Sequence, residues 1–440
     1  MTNCDIKKLT FPRIKNKELK IDFSGGNISS DGGLIPVHLL DKKLGIISDM
    51  SRAVKNFDIR SKSKIKHKVS EMLRQRIYGI ISGNEDLNDQ DDLRKDEVFK
   101  VLAGRGNDLA GSSTLCRFEN SACREVCVEI SKVFVEKFME SFKTPPKELI
   151  LDFDATDDEI HGHQEGRFFH GYYDHYCFLP LYVFCGEQLL VSYLRPSNID
   201  GAKHSWAILA LLVKRFRKQW PGVKIIFIGD GGFCRWPMLS WCERKDLQYI
   251  IGISSNPKLE KLTTHIAVKA EKKHRRTKVK SKLYTEIYYC AGTWKNIRRK
   301  IVVKAEHTDK GKNLRYIVTN MKGTPKYLYE KIYCMRGDME NRIKEQQLDL
   351  FADRTSCHGW WANQFRLLLA SGAFILVERL CALALKGTLF EKAQAGTIRS
   401  RLVKIGTLVH SNTRKICINL SSSFTSKDSF YRMINNILLL

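Results

Sequence analysis

Three carboxylates in three different local settings carry the chemistry this sequence offers. Asp154 ends the apolar run that begins at Leu149, and Asp230 ends the run that begins at Val223. Glu340 sits inside the helical-looking segment from Tyr333 to Lys344. A carboxylate at the tip of a buried strand is costly unless a cation or hydrogen bonds meet it. Two strand tips and one helical carboxylate suit a hard divalent cation with oxygen ligands, Mg²⁺ or Mn²⁺. Two such ions about 3.5–4 Å apart activate a water or hydroxyl and stabilise the leaving oxygen of a phosphoryl transfer. Asp152 lies two residues before Asp154 on the same strand face and is the alternative to it. Each aspartate alone reads as an ordinary turn or capping residue; the joint pattern points to a metal site.

The elements that must hold these groups change character along the chain. From Asp31 to about Phe142 apolar residues recur at spacings of three and four, as in Met72, Ile77, Ile80 and Ile81, which predicts helices. Ser113 to Glu119 reads as a capped helix start, and Thr144-Pro145-Pro146 breaks the pattern. Short apolar runs then predict strands at 149–153, 179–185, 189–194, 223–228 and 249–253, with a helix over 205–219. A strongly basic stretch over 256–280 is followed by strand-like segments at 284–289, 301–304 and 314–318, and helices resume over 325–385. The fold class is therefore α/β, a mixed sheet flanked by helices, with aspartates where strands end and connections diverge.

The 440 residues suffice for two or three domains. With 74 Lys and Arg against 48 Asp and Glu, the net charge of +26 is the footprint of a polyanion binder, DNA or RNA. The apolar stretch Leu367–Val377 is too short to cross a bilayer, which takes roughly 18 apolar residues, and the N-terminus shows no signal-peptide core. No membrane partner is expected. The 13 cysteines are scattered, without a C-x-x-C pair, and fit free thiols in a reducing cytoplasm.

Tyr333, Arg336 and Glu340 stand in the spacing Tyr-x-x-Arg-x-x-x-Glu, Asp154 is followed by Thr156, and Asp230 lies in Ile-Gly-Asp-Gly-Gly-Phe. Further segments are Gln75-Arg76, Gly83 to Asp89, Leu93 to Asp96, Ser113 to Glu119, His161 to Glu165, Leu194 to Asn198, Asp353 to Cys357 and Asn363 to Arg366. In order and spacing these resemble the DDE transposases of bacterial insertion sequences, in the subgroup with that tyrosine–arginine–glutamate signature. The resemblance spans roughly residues 25 to 430. It implies an RNase H-like core over 146–255 and 323–400, an N-terminal helical DNA-binding region over 1–145, a β-rich insertion over 256–322 and a C-terminal segment over 401–440. It further implies Asp154, Asp230 and Glu340 as catalytic metal ligands and double-stranded DNA, element ends and target, as the partner. A homodimer on DNA in the cytoplasm, associated with the nucleoid, completes the expectation.

Within that resemblance, Tyr333 and Arg336 are DNA-binding candidates, Arg336 through its planar fork to a phosphate, with an ion pair to Asp338 or Glu345 as the competing reading. The family's longer signature carries Lys seven positions beyond the glutamate; here that residue is Gln347, and Lys344, one turn from Glu340, is the substitute phosphate contact. Trp294 is a candidate to stack on an unpaired base, weighed against a tryptophan packed in a sheet. Arg117 is a candidate DNA contact from the helical region, weighed against a solvated arginine. His161, His163, His170 and His175 read as loop or core histidines more than as a zinc set. A binding protein that has lost cleavage and a simpler RNase H-like nuclease are the alternatives, and the presence of all three carboxylates argues against the first.

Overall fold

The computed structural model describes residues 13–440, so the start of the N-terminal region expected over 1–145 lies outside the described residues. Seven helices come first: α1 (Leu34–Leu44), α2 (Ile46–Lys55), α3 (Val69–Ser82), α4 (Asp89–Leu93), α5 (Glu97–Ala103), α6 (Ser112–Asn120) and α7 (Arg124–Glu140). After the Pro145-Pro146 break the period changes to that of strands. We label β1 (Glu148–Ala155), β2 (Leu181–Cys185) and β3 (Gln188–Tyr193), then α8 (Ser205–Gln219), β4 (Lys224–Gly229), α9 (Trp236–Arg244) and β5 (Gln248–Ile253). Helix α10 (Pro257–Thr277) leads to β6 (Ser281–Tyr289), β7 (Arg299–Thr308) and β8 (Gly311–Thr319). Helices α11 (Arg336–Lys344), α12 (Trp360–Arg379) and α13 (Lys427–Leu438) follow.

The eight labelled strands form one sheet in the order β6-β7-β8-β5-β4-β1-β2-β3. β1, β4 and β5 run parallel, whereas β2 and β3 are antiparallel to their neighbours. β4 is buried along nearly its whole length, as a central strand covered on both faces must be. This half of the sheet, a three-stranded meander followed by two parallel strands with helical crossovers, has the RNase H-like order. Residues 158–178, between β1 and β2, add a small three-stranded sheet of their own.

The β-rich stretch expected as an insertion does not make a separate sheet. β8 pairs antiparallel with β5, from Tyr316 opposite Ile253 to Thr319 opposite Ile250, so β6–β8 prolong the central sheet. The basic stretch over 256–280 is mostly the 21-residue helix α10. It starts cleanly because Asn256 accepts from the Leu259 N–H and Pro257 takes the first helical position.

The N-terminal helices share one apolar core with α12 and with Phe178, Tyr182 and Phe184. α12 is enclosed on every side: Ala362 through Glu378 are all buried. The helical stretch Trp360–Ala384 has 25 residues, 18 of which in a row reach a mean hydropathy of 1.9, longer than the run read from sequence and sufficient by length to cross a membrane. Burial of 72% of those 18 residues inside the protein makes the helix the strut between α3, α7 and β3. Several of the scattered segments that carried the family resemblance meet here as an ionic network. Glu119, wholly buried, accepts from Arg76 at 2.7 Å and faces Arg366 at 3.8 Å; Arg366 also pairs with Asp86, which pairs with Arg354. Gln75, next to Arg76 in the chain, exchanges two hydrogen bonds with the backbone of Ala110.

Candidate active site

The two strand-tip aspartates are placed by sheet register. β1 and β4 pair in parallel up to Phe153 opposite Gly229. One residue further stand Asp154, still paired with Tyr182 of β2, and Asp230, just past the end of β4, on neighbouring strands about 4.8 Å apart. The alternation of the strand turns Asp152 and Asp154 to one face. The Asp230 carboxylate accepts from the Gly232 N–H at 2.8 Å, which caps the short turn Gly231–Phe233.

Over this edge lies a helical segment whose pitch changes repeatedly. It is wound as a π turn over Leu328–Ile332, tightens to 3₁₀ over Tyr333–Met335, runs as α over Arg336–Lys344 and widens to π again over Glu345–Asp349. Such pitch changes recur at functional sites because they re-aim side chains without ending the helix. Tyr333, Arg336 and Glu340, at spacings of three and four, share one side of it. The Tyr333 ring passes close over β5. A Cβ at Gly252 would fall 2.6 Å from the Tyr333 hydroxyl and 2.9 Å from the Gly231 nitrogen, so only glycine admits this approach.

Arg336 is buried and sits between the two β1 carboxylates. Its Nε donates to Asp152 Oδ1 at 3.1 Å, and its Nη2 lies 3.3 Å from Asp154 Oδ1. Neither Asp338 nor Glu345, the partners considered from sequence, takes it. Burial is the main force on the aspartates: it pushes Asp152 up to about 7 and Asp154 up to about 6, with Arg336 pulling both down. Asp230 and Glu340 add repulsion that raises Asp154 further, and Glu340 does the same to Asp152, so all four carboxylates share one field. Burial lowers the Arg336 pKa while Asp154 and Asp152 raise it, and the net shift is upward.

The donor set, four carboxylates and no thiolate, has the chemistry of a hard divalent cation. Among the described residues no group of three or more His, Cys, Asp or Glu side chains is gathered closely enough to hold a metal. The Arg336 guanidinium is the cation that meets Asp152 and Asp154. Glu340, one turn beyond Arg336, is exposed.

The other candidate residues fare differently. Trp294, proposed to stack on a base, is 2% exposed and packs edge-on against Tyr289 with the Arg299 guanidinium 5.3 Å from its ring centre. Its ring has no free face for a base in this structure and packs in the sheet. Lys344 is exposed on α11, and Arg117 is exposed on α6, outside the carboxylate group, reaching only Thr114 at 3.4 Å. Gln347 donates to the Asp157 carbonyl at 2.9 Å and to Asp158 Oδ1 at 2.8 Å, which ties the helix to the chain just past Asp154. Sequence reasoning gave Gln347 no such role. Of the histidines, His175 pairs with Asp157 at 2.8 Å and His163 meets Arg167 at 2.8 Å.

Comparison with known proteins gives three findings. A cryo-electron-microscopy structure of a piggyBac transposase synaptic complex with hairpin DNA aligns over 91% of this chain and 89% of its own, at 11% identity and a TM-score of 0.38. No curated protein matches the chain. The family profile described as "Transposase DDE domain group 1" matches residues 11–440, nearly the full length. The chain belongs to the transposase DDE domain group 1 family.

Proposed function

We propose that this protein is the transposase of an insertion sequence: it binds the terminal inverted repeats of its element, cuts strands at the ends and joins the freed 3′-OH to target DNA. The observation that carries the reading is the register of β1 and β4, which sets Asp154 beside Asp230 under the helix bearing Arg336 and Glu340. The net charge of +26 supplies the attraction to a polyanion.

DDE transposases normally work with a divalent metal. Here Asp154, Asp230 and Glu340 would hold it, with two Mg²⁺ or Mn²⁺ ions as the expected complement. Bound there, the cations supply an activated hydroxyl and a neutralised leaving oxygen. The protein's own residues do the positioning. Sheet pairing holds the two aspartates at fixed separation, and Tyr333 against Gly252 sets the height of the helix above them. Arg336 exchanges its carboxylates for a DNA phosphate, whose bidentate geometry its fork matches. Lys344, one turn from Glu340, adds a phosphate contact at the surface. Two ends held together require a homodimer on DNA, acting in the cytoplasm at the nucleoid.

The second reading, a DNA-binding protein that keeps the fold without cutting, draws on Arg336 filling the space between Asp152 and Asp154. One assay separates the two. A labelled duplex carrying the element's own terminus is incubated with Mg²⁺ and wild-type protein or Asp230→Asn. Nicked and joined products from wild type alone support the transposase. Binding without product from wild type, or equal product from both, overturns it.

A further inference from the structure

We propose that helix α10 is a docking rail for the phosphate backbone of the duplex flanking the reacting phosphate; this rests on the reading that the chain acts on DNA. The helix is sharply two-sided. Leu259, Thr263, Ile266, Ala270 and His274 are buried against the sheet. On the far side Lys258, Lys261, His265, Lys269, Lys272 and Arg276 follow one another at spacings of three and four, and all are exposed. The helix's carboxylates stand off this stripe: Glu271 pairs with Arg275, and Glu260 faces Lys312. Among the described residues none of the stripe's lysines, nor Arg276, has a carboxylate within ion-pair distance.

The helix's own dipole accounts for only part of this. Cations in its last turn are favoured by the C-terminal partial charge, which suits Arg276. Lys258 and Lys261 stand in the first two turns, where the partial charge is positive and cations are disfavoured. Among the described residues Lys261 has no carboxylate partner and Lys258 has only the Tyr289 ring, 5.6 Å from its ammonium, so an anion from outside offsets the dipole's penalty on both.

Position supplies the second argument. The Asp230 turn leans on the chain that enters α10: a Cβ on Gly231 would touch Ser254 at 3.4 Å, three residues before Pro257. The stripe therefore begins beside the candidate active site. At 1.5 Å per residue it extends about 27 Å away from it. Duplex DNA presents one charge per about 1.7 Å of axis, so a length of about eight base pairs lies within reach. Contacts of this kind set register and carry no sequence information.

The test is a salt series of duplex binding with wild-type protein and Lys261→Ala/Lys269→Ala/Lys272→Ala/Arg276→Ala. Four lost phosphate contacts lower the slope of log K against log salt by about 3.6. Wild-type affinity then falls about 150-fold more than the variant's between 50 and 200 mM salt. The pair Lys269→Ala/Lys272→Ala reads half the slope change, and the four-fold Lys→Arg or Arg→Lys exchange restores it. Duplexes extended by ten base pairs beyond the cleavage point bind wild type more tightly than duplexes ending there, and the four-site variant loses that preference. Unchanged slope and unchanged length preference overturn the rail while leaving the transposase reading intact. Salt-independent or absent duplex binding by wild type overturns both.

Discussion

Replacing Arg336 by Gln removes the only cation, among the described residues, that pairs with both Asp152 and Asp154. At 3.1 and 3.3 Å and an effective dielectric near 20, each contact has a Coulomb energy of about 5 kcal/mol. Desolvation of the three groups cancels most of that in the wild type. The variant keeps the carboxylates' desolvation cost and loses the attraction, and breaking a buried pair in this way costs about 3–5 kcal/mol. The side chains retain 10%, 13% and 15% exposure, which places the expected loss near the lower end, about 3 kcal/mol. The sign of its pH dependence follows from the raised aspartates. With Asp152 at about 7 and Asp154 at about 6 against an ordinary 3.8, the folded chain holds protons that the unfolded chain has released. Their contribution to stability therefore declines as pH rises from about 4 to about 7. Arg336 is the neighbour that limits this decline. The difference between wild type and Arg336→Gln in urea unfolding should thus be about 3 kcal/mol at pH 8 and under about 1 kcal/mol at pH 5, with unchanged m-values. Saturating Mg²⁺ should recover part of the pH 8 loss by binding the vacated carboxylates in the folded state. Equal losses at the two pH values, or a stable variant at pH 8, would refute the reading that the guanidinium neutralises Asp152 and Asp154.

Asp152 and Asp154 separate by rate: Asp154→Asn should reduce strand cleavage by more than 100-fold with duplex binding retained, whereas Asp152→Asn, acting through Arg336, should cost about 10- to 100-fold. The reverse ranking would exchange their roles. Glu340→Gln should likewise abolish cleavage without weakening binding, and near wild-type product from it would remove Glu340 from the site. Gly252→Ala pushes a methyl group to 2.6 Å from the Tyr333 hydroxyl and should cost about 1–3 kcal/mol in denaturant unfolding together with a loss of cleavage rate; an alanine variant that cuts normally would mean Tyr333 does not set the helix height. Glu119→Ala leaves Arg76 and Arg366 without their buried carboxylate and should cost about 3–5 kcal/mol while leaving the salt slope of DNA binding unchanged.

Local pattern alone determined much of this protein. The apolar runs at 149–153, 189–194 and 223–228 marked β1, β3 and β4 because burial of a strand is written in consecutive side chains. The three- and four-residue spacing of Tyr333, Arg336 and Glu340 placed them on one helical side for the same reason. Trp294 shows the limit: local pattern left base stacking and sheet packing both open, and the turn at Gly292–Trp294 folds the indole back onto Tyr289. Only tertiary structure decided that β6–β8 join the central sheet, since strand partners are chosen by faces many residues apart. It likewise decided that Arg336 reaches across 184 positions to Asp152, passing over the nearer Asp338 and Glu345. A buried cation takes whichever carboxylate the fold brings beside it in low dielectric, and proximity along the chain has no say in that.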